Sequence, residues 1–156
     1  MFQMITLITL IILSLGNSYA QSEPNVHLKP LSPKDQEIFT TNYINTLANI
    51  SFNITDTNKD GIITRNEYAI STANEFLKAD INKDLKLTYS EFYNHYSTIY
   101  SANKNNNDKF RRYYNIAISI TIKEEFKAYD CDNRNSIYIY EASALSSTFY
   151  NIISQE

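Results

Sequence analysis

Apolar residues along this chain form segments with helical spacing, and short clusters of polar residues separate these segments. Ser32 and Pro33 have the residue types of a helix N-cap and a first helical position. The segment that follows offers apolar residues for one buried face, namely Ile38, Ile44, Leu47 and Ile54. The pattern predicts a helix over residues 33–55. The chain has only 2 Gly and 3 Pro, which favours helices over a β-sandwich with its many turns.

Three of the polar clusters repeat the same spacing. If Asp56, Asp80 and Asp130 are taken as the first residues, a Phe stands four positions earlier in each case. An apolar residue follows seven positions later and a Glu eleven positions later. These columns are Phe52, Phe76 and Phe126; Ile63, Leu87 and Ile137; and Glu67, Glu91 and Glu141. A helical residue at −4 lies one turn below the loop and faces the same core. The repeat therefore predicts three related helix–loop–helix units.

The first cluster, loop one (56–67), reads D-T-N-K-D-G-I-I-T-R-N-E and offers oxygen ligands at the spacing that Ca²⁺ requires. The candidate ligands are the side chains of Asp56, Asn58, Asp60 and Glu67, the backbone carbonyl of Ile62, and a water held by Thr64. Gly61 stands at position 6, where the backbone must adopt a positive φ. Ile63 is expected in a short strand under the loop, and the three carboxylates are expected to converge.

The second cluster, loop two (80–91), repeats this ligand pattern. Its candidates are the side chains of Asp80, Asn82, Asp84, Thr88 and Glu91 and the backbone carbonyl of Lys86. Leu85 replaces glycine at position 6, where the left-handed conformation costs a branched residue about 1–2 kcal/mol. We therefore expect loop two to be a second and weaker site.

The third cluster, loop three (130–141), keeps Asp130, Asp132 and Glu141 but has Arg134 at position 5. Arginine provides no ligand oxygen, so whether this loop binds a metal stays open. A guanidinium near Asp130 and Glu141 could stand in for the cation. A degenerate fourth copy starts at Asn103, with Asn105, Asn107, Phe110 and Tyr114 at positions 3, 5, 8 and 12. The alternative interpretation of this stretch is an Asn-rich linker, and neither interpretation predicts a metal there.

The spacing of the first two loops constrains how they pair. Only residues 68–79 separate Glu67 from Asp80, which is room for one helix of about 18 Å. One helix must therefore end loop one and begin loop two. We expect loop one to pair with a later loop or to remain unpaired.

From about Phe52 to Glu141 the chain resembles EF-hand calcium-binding proteins, and specifically small secreted members of that superfamily. The resemblance implies an all-α fold of EF-hand-like helix–loop–helix repeats with short loop strands. Residues 5–15 form an apolar run followed by Ser18-Tyr19-Ala20, which is typical of a signal peptide over residues 1–20. A retained membrane anchor is the alternative. We expect a flexible leader over 21–32, the EF-hand domain over 33–156, and no membrane anchor after signal cleavage.

The function class follows from this resemblance and from the composition. A net charge of −3 argues against a nucleic-acid partner, and the two histidines, His27 and His95, belong to no recognisable catalytic motif. We therefore expect a secreted calcium-binding protein that is not an enzyme and acts as a calcium-stabilised structural or binding module or a buffer. One alternative is a protein-interaction module with largely vestigial loops and an unidentified protein partner. The other is a Ca²⁺ sensor that exposes a groove, which the lack of methionine beyond Met4 disfavours.

Overall fold

The computed structural model describes residues 30–102 and 110–142. In these ranges the chain forms α1 (Pro33–Thr55), α2 (Arg65–Ala79), β1 (Lys86–Thr88), α3 (Tyr89–Ala102), α4 (Arg111–Tyr129) and β2 (Ser136–Tyr138). Another helical segment begins at residue 139. The prediction of a mostly helical fold is confirmed, and the described strands are three residues long. No helix of the described ranges is long and apolar enough to cross a membrane. The predicted signal peptide (1–20), leader residues 21–29 and the Asn103–Asn107 segment lie outside the described residues.

Helix α1 begins and ends where the sequence predicts. Ser32 is its N-cap: the Ser32 hydroxyl accepts a hydrogen bond from the Asp35 N–H at 3.2 Å and donates one to the Asp35 carboxylate at 2.8 Å. Pro33 occupies the first turn, where its missing N–H leaves no helical bond unmade. Helix α2 is the single helix predicted between the first two loops. It begins at Arg65 because Thr64 caps it.

Aromatic and aliphatic side chains of α1 form one side of the core. Phe39, Tyr43, Leu47 and Ile50 follow one another at intervals of three or four residues and are all buried. The ring of Phe39 lies 5.9 Å from that of Phe110 and 5.0 Å from that of Tyr114 at the start of α4. Helix α1 therefore packs an aromatic face against the start of α4.

The predicted inner face of α1 was only partly right. Leu47 is buried, and Ile44 and Ile54 are partly buried against the core. Ile38, however, is 40% exposed, so its assignment to the core was wrong. The adjacent Phe39 faces the core in its place, and consecutive residues on a helix point about 100° apart.

Strands β1 and β2 join loop two to loop three. They are antiparallel, with Leu87 opposite Ile137, and both of these side chains are buried. Ile63 holds the same loop position in loop one but is half-buried and belongs to neither strand, so the predicted strand there was wrong. The backbone of β1 in loop two is hydrogen-bonded to that of β2 in loop three, and α3 packs along α4.

Candidate metal-binding loops

The three loops share one backbone conformation. Each begins at the Asp that ends the preceding helix, and the N–H of that Asp donates to the carbonyl of the Phe four residues earlier at 2.8–2.9 Å. Positions 4 and 6 of every loop have positive φ: Lys59 and Gly61, Lys83 and Leu85, and Asn133 and Asn135. The polar clusters thus repeat in backbone conformation as well as in sequence. Leu85 has a φ of 62°, the left-handed conformation predicted for it.

The first Asp of each loop holds the turn at position 6. The Gly61 N–H donates to Asp56 Oδ2 at 3.0 Å. The Leu85 N–H makes the same bond to Asp80 Oδ2 at 2.9 Å, and the Asn135 N–H bonds Asp130 Oδ2 at 3.0 Å. One carboxylate oxygen of position 1 is therefore used by the loop backbone in all three cases.

The Glu at position 12 closes loop one from the other side. Glu67 Oε2 accepts hydrogen bonds from the Thr64 N–H at 3.0 Å and the Thr64 hydroxyl at 2.8 Å, while Oε1 accepts one from the Asn58 N–H at 3.3 Å. The hydrogen bonds from Thr64, backbone and side chain, lower the pKa of Glu67 to about 2. The carboxylate is therefore ionised at neutral pH.

Loops two and three close in the same manner. The Thr88 N–H donates to Glu91 Oε2 at 2.9 Å, and the Tyr138 N–H donates to Glu141 Oε2 at 2.8 Å. Burial acts to raise the pKa of Glu91, but hydrogen bonds from Thr88 and from the Asn82 backbone outweigh it, so the pKa is lowered. The position-12 carboxylates are thus held by equivalent bonds in the three loops.

Within loop one, and likewise within loop two, hydrogen bonds link the candidate ligand residues at positions 3, 5 and 7. The Asp60 N–H donates to Asn58 Oδ1 at 2.9 Å, and the Ile62 N–H donates to Asp60 Oδ1 at 2.8 Å. Loop two repeats this chain through Asn82, Asp84 and Lys86 at 3.0 and 3.2 Å. The Lys86 ammonium also lies 3.5 Å from Asp84 Oδ2, which partly neutralises a candidate ligand of loop two.

The loops differ at the second oxygen of their first Asp. Asp80 Oδ1 accepts the Asp84 N–H at 3.2 Å, and Asp130 Oδ1 accepts the Arg134 N–H at 2.9 Å. Asp56 Oδ1 is buried and has no hydrogen-bond partner among the residues that the structure describes. A buried polar group without a partner costs about 1–3 kcal/mol, and more when it is charged. Loop one therefore holds a buried oxygen whose hydrogen-bonding capacity the described residues leave unused.

Loop three contains the closest acidic cluster found in the described residues. Carboxylate oxygens of Asp130, Asp132 and Glu141 lie within 4.8 Å of one another, a convergence that we expected in loop one. Arg134, whose guanidinium was a candidate to replace a cation near Asp130 and Glu141, donates its Nε to Asp132 Oδ2, in the same cluster, at 3.0 Å. The Arg134 N–H is already bonded within the loop, and its side chain pairs with the carboxylate two residues back.

Two buried glutamates outside the loops were not predicted. Glu75 bonds the Lys78 ammonium at 2.7 Å and His95 Nε2 at 2.8 Å, beside a cavity of about 690 Å³ between α1, α2 and α3. Glu125 accepts the Tyr100 hydroxyl on both carboxylate oxygens at 2.9 and 3.1 Å. Glu75 and Glu125 each directly precede a buried Phe of the −4 column, and Glu125 also stands three residues after the buried Ile122. This helical spacing from buried residues was the sequence signal that could have predicted their burial.

Comparison with known proteins gives no relative: no family model matches the chain, and no curated protein and no solved structure matches it. The interpretation of the loops therefore rests on their own geometry.

Proposed function

We propose that this chain is a calcium-binding protein of the EF-hand type, with loop one as its tighter site and loop two as a weaker one. The observation that carries the proposal is Asp56 Oδ1, a buried carboxylate oxygen that makes no hydrogen bond within residues 30–102 and 110–142. The equivalent oxygens of Asp80 and Asp130 are already bonded to backbone N–H groups. A hard cation that prefers carboxylate and carbonyl oxygens supplies the partner that Asp56 lacks.

The ligand set of each loop fits Ca²⁺ by charge and donor type. In loop one, Asp56, Asn58, Asp60 and Glu67 would provide side-chain oxygens, Ile62 its carbonyl, and Thr64 a bound water. Loop two would use Asp80, Asn82, Asp84, Thr88 and Glu91 with the carbonyl of Lys86. The weaker affinity of loop two follows from the bonded Asp80 Oδ1 and from the Lys86 ammonium beside Asp84.

We propose that Ca²⁺ acts mainly on the stability of the fold, in a protein that is secreted and has no catalytic activity. Beyond Met4 the chain contains no methionine, whereas a calcium sensor exposes a methionine-rich groove to its partner when Ca²⁺ binds. Outside the cell, Ca²⁺ is nearly constant, and extracellular modules bind it at about 10⁻⁴–10⁻³ M. A structural role fits both observations.

Calorimetric titration of the purified protein with Ca²⁺ tests the proposal. Asp56→Asn removes the charge on the partnerless oxygen and is expected to weaken the tightest binding step by at least about tenfold. Asp130→Asn is the matched control, because it changes the same loop position where both oxygens are already hydrogen-bonded. The control is expected to leave the tightest step unchanged. If no Ca²⁺ binds, or if Asp56→Asn binds as tightly as the wild type, loop one is not the site.

Two further variants separate the sites. Glu67→Gln is expected to remove the tight binding step, and Glu91→Gln the weaker one, since each takes a carboxylate from position 12 of its loop. Loss of the tight step in Glu91→Gln alone would reverse the order of the two sites.

A further inference from the structure

Glu125 is a buried acid that the calcium proposal does not use. It lies on α4 with 8% of its surface exposed, between the buried Ile122 and Phe126. Both of its carboxylate oxygens accept hydrogen bonds from the Tyr100 hydroxyl of α3, at 2.9 and 3.1 Å. A single neutral donor thus holds a carboxyl group in the contact between two helices.

No positive charge balances this group in the part of the chain that the structure describes. The titratable groups close enough to feel its charge are hydroxyls, namely Tyr43 of α1, Tyr96 and Tyr100 of α3 and Tyr129 of α4, and Tyr100 alone acts on its pKa. Tyr68 and Glu75 of α2 in turn act on Tyr96. Burial raises the pKa of Tyr100 well above its usual range, so this hydroxyl stays neutral. The neighbouring Glu124, by contrast, is paired with the Lys127 ammonium at 2.7 Å.

We propose that Glu125 is a proton-dependent switch in the helical core, which holds α3 against α4 when it is protonated and loosens this contact when it is ionised. An ionised carboxylate without a cation is costly inside a protein, whereas a protonated carboxyl group is a neutral polar group that can donate a hydrogen bond of its own. The switch would act on both paired loops, because α3 follows loop two and α4 leads into loop three.

The pH range of the switch follows from the pKa of Glu125. Burial raises this pKa from 4.5 to about 7, although the Tyr100 hydrogen bond acts in the opposite direction. Below pH 4.5 the carboxyl group is protonated in both the folded and the unfolded chain. Between pH 4.5 and about 7 the unfolded chain loses the proton first, so folding stability falls as the pH rises. The unfolding equilibrium constant should rise on the order of a hundredfold across this range.

Urea unfolding of the full chain from pH 4.5 to 8 tests the switch. In Glu125→Gln, which mimics the protonated group, this loss of stability with rising pH should disappear, so the variant should be more stable than the wild type at pH 8. Glu124→Gln is the matched control, because it changes the adjacent acid outside the core and should retain the loss. Equal pH profiles for the wild type and Glu125→Gln would overturn the proposal.

The pKa of Glu125 can also be measured by NMR in the wild-type protein, which does not depend on how Glu125→Gln folds. The ¹³C resonance of the Glu125 carboxyl group in the wild-type protein should titrate with a midpoint near pH 7. In Tyr100→Phe the ionised form loses its donor, so the midpoint should move to higher pH. A wild-type midpoint near 4.5, the ordinary value, would overturn the proposal even if the variants changed stability.

Discussion

Gly61 and Leu85 occupy the same position of successive loops. They show that the same turn conformation has a different steric cost for two residue types. Both have positive φ, 86° and 62°, and both donate their N–H to the Asp at position 1. Glycine adopts this conformation without steric cost, but leucine does not. The Leu85 side chain is 54% exposed, so burial gives back little of that cost. Loop two keeps the turn because the bond to Asp80 and the β1–β2 pairing determine its backbone.

We predict that Leu85→Gly stabilises the folded protein. Relief of about 1–2 kcal/mol of backbone strain is partly offset by about 0.5–1 kcal/mol for the greater freedom of glycine in the unfolded chain. The net gain should be about 0.5–1 kcal/mol in urea unfolding. Leu85→Ala is the control, because it shortens the side chain but keeps the strain, and it should not stabilise.

The reverse change should be unfavourable in loop one. A Cβ added at Gly61 meets no atom within 4 Å, so Gly61→Ala tests the backbone alone. We expect a net loss of about 0.5–1 kcal/mol, because the lower freedom of alanine in the unfolded chain offsets part of the about 1–2 kcal/mol of strain. If Leu85→Gly and Gly61→Ala both left the stability unchanged, position 6 would not carry strain.

At the scale of elements, loops one and two share helix α2, and this limits which loops can pair. Helix α2 leaves loop one and enters loop two without a second helix between them, so these two loops cannot form a side-by-side pair. Loop two and loop three are separated by α3 and α4, which turn the chain back and bring β1 and β2 together. Leu87 and Ile137 face each other at the centre of this contact.

We predict that Leu87→Ala costs much more stability than Ile63→Ala. Leu87 is 2% exposed and paired in the sheet, so its truncation should cost about 2–5 kcal/mol. Ile63 holds the same position of loop one but is half-buried and unpaired, so a smaller loss is expected. Chemical denaturation of both variants measures the difference. Equal losses would mean that loop one has a strand contact of its own.

The elements were predictable where local chemistry decides them. The Ser32 cap and the three position-1 Asp residues fixed where helices begin and end, and the Phe and Glu columns identified the repeat. Two features depend on distant contacts and could not be predicted. The core face of α1 is chosen by the rings of Phe110 and Tyr114, about seventy residues further along the chain, and the strand partner of loop two is set by how α3 and α4 turn back.

The candidate metal-binding loops could likewise be predicted only in part from the sequence. Its ligand residues follow from spacing, but spacing does not say which oxygens the loop itself uses. Asp56, Asp80 and Asp130 hold the same loop position, yet of the three only Asp56 has a buried oxygen without a partner among the described residues. The position-5 N–H bonds the first Asp in loops two and three, whereas in loop one it bonds Asn58. The residue pattern does not predict such differences in hydrogen bonding.

At the scale of the whole molecule, we predict that Ca²⁺ raises the melting temperature of the protein. At 1 mM free Ca²⁺, a site with an assumed Kd of about 10 µM adds about 2.7 kcal/mol to the free energy of unfolding, and the weaker loop two adds less. That corresponds to a rise of roughly 5–10 °C, which EDTA should reverse. Because the chain has no methionine beyond Met4 to line an exposed groove, a hydrophobic dye such as ANS should gain little fluorescence on Ca²⁺ addition. A large gain by folded protein would instead favour a sensor.

The central claim is that Ca²⁺ enters loop one first, and residue-resolved NMR tests it most directly. The position-6 N–H of every loop donates to the first Asp, so the ¹H–¹⁵N signals of Gly61, Leu85 and Asn135 report separately on the three loops. A cation at the carboxylate polarises this hydrogen bond and shifts the amide signal. During a Ca²⁺ titration the Gly61 signal should shift at the lowest concentration and the Leu85 signal at a higher one. A Gly61 signal that stays in place through millimolar Ca²⁺ would contradict the account.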